Sequence, residues 1–169
     1  MNKDILNNIS NPSVFEENRL PAHSDHRVYA NKSELLKGSS SLCYSLNGVW
    51  KFDYSINLSC TPDGFEALDY DCKNWDNIRV PAHIQMEGYD RPHYANVAYP
   101  WDGRQALRSG EVPTDFNPVG SYVKYFTLPN DFIKDSLILR FEGVESAAAI
   151  WLNGHYIGCL LYTSPSPRD

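Results

Sequence analysis

The sequence predicts an all-β fold of the sandwich type. Two observations support this prediction: apolar and polar residues alternate in several short segments, and an Asn-Gly pair separates two apolar segments. A period of two places every second side chain on one face of a strand, and both positions of an Asn-Gly hairpin turn need positive φ. Several short strands joined by turns are typical of a β-sandwich.

Residues 1–40 are expected to form an N-terminal arm that ends in one short helix. The arm, residues 1–30, is polar and has little periodicity, so we expect an extended segment that lies on another surface and is ordered by a partner. The helix is predicted from Asn31 to Gly38, because Asn31 or Ser33 can cap its start and Gly38 can end it.

Strand patterns begin after the helix. The alternation of Trp50, Phe52 and Tyr54 with other residues predicts a strand with one buried face. Residues 148–152 and 155–157 flank Asn153-Gly154 and predict a hairpin. The same period recurs in two segments that we expect to be antiparallel neighbours: Tyr122, Lys124, Phe126 and Leu128, and then Leu137, Leu139 and Phe141.

Composition and charge exclude some classes of function. The 169 residues carry a formal net charge of −6, so phosphate backbones would be repelled, and no basic run compensates; we expect no nucleic-acid partner. No apolar stretch approaches the length of a membrane span, and the first ten residues lack the apolar centre of a secretory signal. We therefore expect no membrane partner and a cytoplasmic location.

Cysteine and histidine spacing does not predict a metal site. No Cys-x-x-Cys pair occurs, so we expect reduced, mostly structural thiols, although a Cys60–Cys72 disulfide stays open. His23 and His26 have a spacing compatible with shared ligation, but metal sites need three or four converging groups, and a solvated pair beside Asp25 is the simpler interpretation. The four cysteines are Cys43, Cys60, Cys72 and Cys159.

The segment from Gln85 to Pro100, QMEGYDRPHYANVAYP, is aromatic, polar and rich in turn residues. Flat rings cover the apolar C–H faces of a pyranose, and an amide can donate to one hydroxyl while accepting from another. A surface loop whose tyrosines cover a sandwich edge is the alternative. Residues 99–117 predict a second long loop, which borders a substrate pocket or packs on a following domain.

The segment resembles the N-terminal domain of glycoside hydrolase family 2 enzymes, and within the family the β-galactosidases. Further motifs follow in the same order, and the likeness runs from about Asn11 to Gly158. They are Glu17 to Ser24, Ser45 to Phe52, Asn117 to Tyr122, Phe141 to Ala147, and Trp151 to Gly154. The resemblance implies a jelly-roll, galactose-binding-like sandwich over residues 41–158 that is incomplete.

The resemblance also implies roles for the parts of such an enzyme. Hydrolysis of terminal β-galactosides with retention uses two glutamates on a barrel domain beyond this chain, so no catalytic residue is expected here and the chain alone should be inactive. Glu111, Glu142 and Glu145 do not replace them. Asn96 matches the asparagine that hydrogen-bonds a galactosyl hydroxyl. No metal ligand is expected in this chain, whereas the full-length enzyme should need Mg and Na and form a homo-oligomer.

Two alternatives and one departure remain. A stand-alone carbohydrate-binding module would recognise sugar with Tyr89, Tyr94, Tyr99 and Trp101, without catalysis; a β-glucuronidase is a weaker alternative. From Cys159 onward the sequence departs from the family pattern, and we interpret residues 159–169 as translated sequencing adapter rather than as part of the domain. A natural Ser/Pro-rich disordered end is the other interpretation of this tail. If the sandwich is cut there, the isolated chain should be poorly soluble or partly unfolded.

Overall fold

In the part of the chain that the structure describes, the fold consists of short antiparallel strands and almost no helix. A computed structural model describes residues 11, 13–21, 26–91, 103, 105–108, 111–130, 132, 136–144 and 146–161. Its regular elements are β1 (Glu16–Glu17), α1 (Lys32–Lys37), β2 (Gly48–Ser55), β3 (Asp76–Val80), β4 (Val119–Val123), β5 (Ala147–Leu152) and β6 (His155–Leu161), with 3₁₀ helices at Leu58–Cys60 and Ile84–Glu87. The predicted all-β class is confirmed, and the jelly-roll arrangement stays a prediction.

The first sheet has the strand order β3-β2-β4, with β2 in the centre and both neighbours antiparallel to it. The predicted strand forms, and Phe52 on its predicted buried face is 1% exposed while Val49 on the other face is 61% exposed. Burial does not alternate along the whole strand, since Lys51 and Asp53 are half-buried and Ser55 is 5% exposed. Phe52 contacts the ring of Tyr122 on β4, with centroids 4.8 Å apart. A Cβ on Gly120 would lie 2.8 Å from the Phe52 ring, so this strand position needs glycine for the rings to pack.

The second sheet has the order β1-β6-β5. Its β5 and β6 form the predicted hairpin, and the turn residues Asn153 and Gly154 have φ of 52° and 79°. These positive angles are the ones that a tight two-residue hairpin turn requires. The hairpin prediction is therefore confirmed, including its turn.

The N-terminal arm contacts β6 along the edge that β5 leaves free. Glu17 pairs with Cys159, the Asn18 side chain donates to the Ile157 carbonyl at 3.1 Å, and the Tyr156 hydroxyl donates to the Glu17 carboxylate at 2.9 Å. A Cβ on Gly158 would lie 2.5 Å from the Glu17 carbonyl oxygen. The sequence predicted that the arm lies on another surface. At β1 this surface is strand β6 of the same chain.

The short helix forms as predicted from its capping residues. Asn31 is the N-cap and its side chain accepts a hydrogen bond from the Glu34 amide at 3.1 Å. Gly38 closes the helix in the left-handed conformation. The Glu34 carboxylate also accepts hydrogen bonds from the amides of Ala30 and Ser41, and these bonds, those from Ser41 foremost, lower the pKa of Glu34.

Two strand predictions need correction. The alternating segment 137–142 was expected to be a strand, but residues 136–144 pair with no other strand within the described part of the chain. Ile138 is 72% exposed and Phe141 is 41% exposed, so neither side of the alternation is buried. The pattern over 122–128 is a strand only at its start, since β4 covers Val119–Val123.

Aromatic contacts connect the two sheets. Phe65 lies between Trp75, which precedes β3, and Trp151 on β5, with ring centroids at 5.7 Å and 6.2 Å. Trp151 in turn contacts Tyr156 on β6 at 5.7 Å. Aromatic pairs at these separations are favourable beyond the area they bury, so this chain of rings helps to hold the second sheet against the turn that precedes β3.

The end of strand β6 and the state of the cysteines bear on two further predictions. Strand β6 continues beyond the predicted limit at Gly158 to Leu161, and Cys159 is buried; the domain limits themselves stay predictions. All four cysteines are free, so the Cys60–Cys72 disulfide does not form; Cys43 and Cys60 are exposed. Within the described ranges, no helix has the length and apolar character that crossing a bilayer requires.

Candidate functional site

The start of the Gln85–Pro100 segment is held firmly on the first sheet. The 3₁₀ helix Ile84–Glu87 ends at Gly88, whose φ is 98°, and the Tyr89 amide donates to the Ile84 carbonyl at 3.1 Å. The Glu87 carboxylate accepts from Arg79 on β3 at 2.8 Å. Because positive φ favours glycine, Gly88 allows the chain to turn back over the sheet at this point.

Tyr89 packs on the sheet instead of projecting from it. Its ring lies 4.6 Å from that of Phe52 and stacks on that of Tyr54 at 6.2 Å. The Tyr89 hydroxyl donates to the Asp76 carboxylate at 2.9 Å. Burial, followed by the hydrogen bond to Asp76 and the charges of Asp76 and Glu87, raises the pKa of Tyr89, so this hydroxyl stays protonated as a donor.

Asn96, the predicted substrate-binding residue, lies outside the described residues, and so do Tyr94, Tyr99 and Trp101 of the binding-module alternative. Their roles stay predictions. Tyr89 is the described member of that aromatic set, and its contacts match the alternative interpretation that tyrosines of the segment cover a sheet.

An open cavity of about 350 Å³ lies beside Tyr89, where β3 begins and β2 continues past it. We refer to it as the Tyr89 cavity. Sequence reasoning missed it, since the lining comes from three separate parts of the chain and no spacing links them. The lining residues are Phe52, Asp53, Tyr54, Asn74, Trp75, Asp76 and Tyr89.

The other candidate carboxylates have local partners. Glu111 accepts from the Arg108 amide at 2.8 Å, and Glu142 lies 3.9 Å from Arg140 on the exposed segment; Glu145 lies outside the described residues. His23 also lies outside them, and the His26 carbonyl accepts from Arg140. In the ranges that the structure describes, no three His, Cys, Asp or Glu side chains gather in the way a metal ion would need.

The predicted loop at residues 99–117 has no helix or strand in its described part. Gln105 holds it together, because its carbonyl oxygen accepts from the Thr114 amide at 2.9 Å and its amide donates to the Thr114 hydroxyl at 3.0 Å. The Asn57 side chain donates to the Asp115 carbonyl at 3.3 Å. The end of the loop is thereby fixed next to β2.

Comparisons with known proteins place these elements in context. Residues 43–163 match the sequence profile of the sugar binding domain of glycosyl hydrolases family 2. The chain is 52% identical over 147 residues to a beta-galactosidase of Halalkalibacterium halodurans, covering 86% of this chain and 14% of that protein. It is 42% identical over 162 residues to the beta-galactosidase large subunit of Latilactobacillus sakei, covering 89% and 26%.

A beta-galactosidase of Lactobacillus delbrueckii subsp. bulgaricus is 40% identical over 150 residues, covering 89% of this chain and 15% of that protein. The chain therefore spans between 14% and 26% of the length of these relatives.

Proposed function

The chain belongs to the sugar binding domain family of glycosyl hydrolases family 2, and from that premise we propose that it is the N-terminal part of a β-galactosidase. The enzyme would remove terminal non-reducing β-D-galactose from lactose-type substrates with retention. One observation carries the proposal: three relatives that match 86–89% of this chain at 40–52% identity are named beta-galactosidases or their large subunit.

The chemistry of the proposed reaction needs groups beyond this chain. Retention requires two carboxyl groups about 5–5.5 Å apart, one as acid/base and one as nucleophile, and we assign both to a barrel domain in the rest of the polypeptide. Mg²⁺ would be held there too, whereas Na⁺ would be held in part by an aspartate later in the sugar-binding domain, and the full-length enzyme would assemble as a homo-oligomer. The four free thiols suit a reducing compartment and support a cytoplasmic location.

This domain would contribute recognition. Asn96 is the proposed substrate-binding residue, because a primary amide can donate to one oxygen and accept from another hydroxyl, and so distinguishes hydroxyl orientations. The described residues support the proposal in one respect: Gly88 and Tyr89 fix the start of the segment that carries Asn96 against β2. The segment would then leave the sheet from a rigid base, as positioned binding groups require.

The test uses the complete polypeptide and aryl β-D-galactosides. Asn96→Ala should lower kcat/KM for the galactoside by a factor that corresponds to about 1–3 kcal/mol of transition-state binding. The reason is that the galactosyl hydroxyl, buried in the site, loses its hydrogen-bond partner. Asn77→Ala, at an exposed position of β3, is the matched control and should keep full activity. Aryl β-D-glucuronides should be poor substrates throughout.

Unchanged kcat/KM in Asn96→Ala would remove this residue from the site. Absence of galactosidase activity in the complete, folded polypeptide, or a preference for the glucuronide, would overturn the proposed function itself.

A further inference from the structure

The Tyr89 cavity has the size of a small-molecule site. Its volume of about 350 Å³ lies at the lower end of the range of about 300–1,000 Å³ that such sites occupy. It exists because β3 begins at Asp76, opposite Phe52, so that Asp53 and Tyr54 on β2 have no β3 partner. The preceding turn, with Asn74 and Trp75, forms the other wall.

Aromatic rings form the apolar part of the lining. Tyr54 and Tyr89 stack with an interplanar angle of 26°, and Trp75 is fixed between Phe65 and Tyr70 at 5.7 Å and 5.6 Å. Rings held by neighbouring rings lose little conformational freedom when a ligand binds, because they are already ordered. The parts of these rings that line the cavity supply apolar surface to a ligand with apolar C–H faces.

Carboxylates and one amide form the polar part. The Tyr89 hydroxyl orients one carboxylate, since it donates to Oδ2 of Asp76 at 2.9 Å. The Ser55 hydroxyl lies 3.1 Å from both Oδ2 of Asp53 and the Cys60 carbonyl oxygen, and its one proton is shared between these two acceptors. An ionised carboxylate has about four acceptor positions, so both groups can accept further hydrogen bonds. The exposed Asn74 adds a group that both donates and accepts.

The charge of the cavity selects among ligands. Asp53 and Asp76 are its two ionisable carboxyl groups, and no lysine or arginine lines it. The nearby ammonium of Lys51 on β2 donates instead to the carbonyls of Lys73 and Trp75, at 3.2 Å and 3.1 Å. Phosphates and uronic acids would be repelled, whereas neutral hydroxyl donors would be accepted.

From this geometry we infer that the Tyr89 cavity is a binding subsite for a neutral pyranose, separate from the contact assigned to Asn96. The C–H face of the sugar lies against Tyr54, Tyr89 or Trp75, while its hydroxyls donate to Asp53 and Asp76 and exchange hydrogen bonds with Asn74. No bond is made or broken there. The inference goes beyond the proposed function, because binding in this cavity does not depend on hydrolysis.

Carboxyl footprinting tests the inference in the complete polypeptide. A water-soluble carbodiimide and an amine label exposed carboxyl groups, and mass spectrometry measures the labelling rate of each. We assume a millimolar Kd for galactose. At a galactose concentration of about twice this Kd, roughly a third of the sites stay empty, so labelling of Asp76 and Asp53 should fall roughly threefold. Labelling of the exposed Glu142 should stay constant, and glucuronate should protect neither aspartate.

Matched variants separate the cavity from its surroundings. Asn74→Ala changes an exposed turn residue and should weaken the protection of Asp76, whereas Asn77→Ala on β3 should leave it unchanged. Asn96→Ala should also leave it unchanged, which distinguishes this subsite from the proposed catalytic one. Labelling of Asp76 that galactose does not alter, equal protection by glucuronate, or loss of protection in Asn96→Ala would each overturn the inference.

Discussion

The hairpin at residues 147–161 and the segment at 136–144 begin from similar sequence patterns and reach different structures. Both regions are rich in apolar residues, and in the segment 136–144 these residues include the alternating Leu137, Leu139 and Phe141. The first forms β5 and β6, which pair from Ala147–Leu161 to Leu152–His155 with a register shift between Ile150 and Trp151, whereas the second pairs with no strand in the described part of the chain. The two regions differ in whether a neighbouring strand is present. The Asn153-Gly154 turn places β6 directly beside β5, and segment 136–144 contains no such turn.

The burial of the two regions follows from this difference. Cys159 on β6, the central strand of its sheet, is 4% exposed, although Leu152 beside the turn is 41% exposed. In the segment 136–144, Leu137, Ile138, Leu139 and Phe141 are between 40% and 72% exposed. A period of two therefore assigns side chains to two faces, but a strand also needs backbone hydrogen bonds from a neighbour.

The largest effect is expected where β1 closes the free edge of β6. Gly158→Ala places a Cβ 2.5 Å from the Glu17 carbonyl oxygen, so β1 should separate and lose the Tyr156–Glu17 and Asn18–Ile157 hydrogen bonds. At about 1 kcal/mol each, the local opening free energy should fall by about 2 kcal/mol. Amide hydrogen exchange of β6, followed by mass spectrometry, should accelerate roughly 30-fold.

Gly143→Ala is the matched control inside the unpaired segment. A Cβ there meets no atom within 4 Å, and its φ is not in the positive region, so exchange of β6 should be unchanged. If Gly158→Ala and Gly143→Ala behave alike, the close approach of β1 to β6 does not limit the stability of this sheet.

An intermediate effect is expected at the hairpin turn. Gly154→Ala places a side chain at φ 79°, where an L-residue costs about 1–2 kcal/mol, while the new Cβ lies 3.8 Å from its nearest neighbours and does not clash. Exchange of the β5 and β6 amides should accelerate about fivefold or more. Asn153→Gly, which keeps both turn positions free to adopt positive φ, should change it far less, and the reverse order would contradict the role given to the turn.

The smallest effect is expected at Ile138. This side chain is 72% exposed, so Ile138→Val should alter the free energy of unfolding by less than about 0.5 kcal/mol. The same change at Ile78, which is 1% exposed on β3, should cost about 0.5–1.5 kcal/mol. Denaturant titration of the pair measures the difference, and a cost at Ile138 equal to that at Ile78 would show that the segment 136–144 is packed.

Local signals account for the predictions that the structure confirms. Asn31 and Gly38 cap α1 through contacts within a few residues, and Asn153-Gly154 closes its hairpin through two residues. The alternation of Trp50, Phe52 and Tyr54 predicted a strand, and this strand forms because β3 and β4 both pair with β2. The same reasoning failed for 137–142, since an alternating pattern carries no information on whether a neighbour is present.

The sequence by itself determined the fold class, the capped helix, the hairpin turn and the family, because each depends on neighbouring residues or on ordered motifs. Only the tertiary structure decided that β1 lies on β6, that Tyr89 packs on Phe52 and Tyr54, and that Asp53, Asn74 and Asp76 line one cavity. These contacts join distant parts of the chain. Their partners are selected by packing and by shared hydrogen bonds after the chain has closed on itself, and no spacing in the sequence encodes that choice.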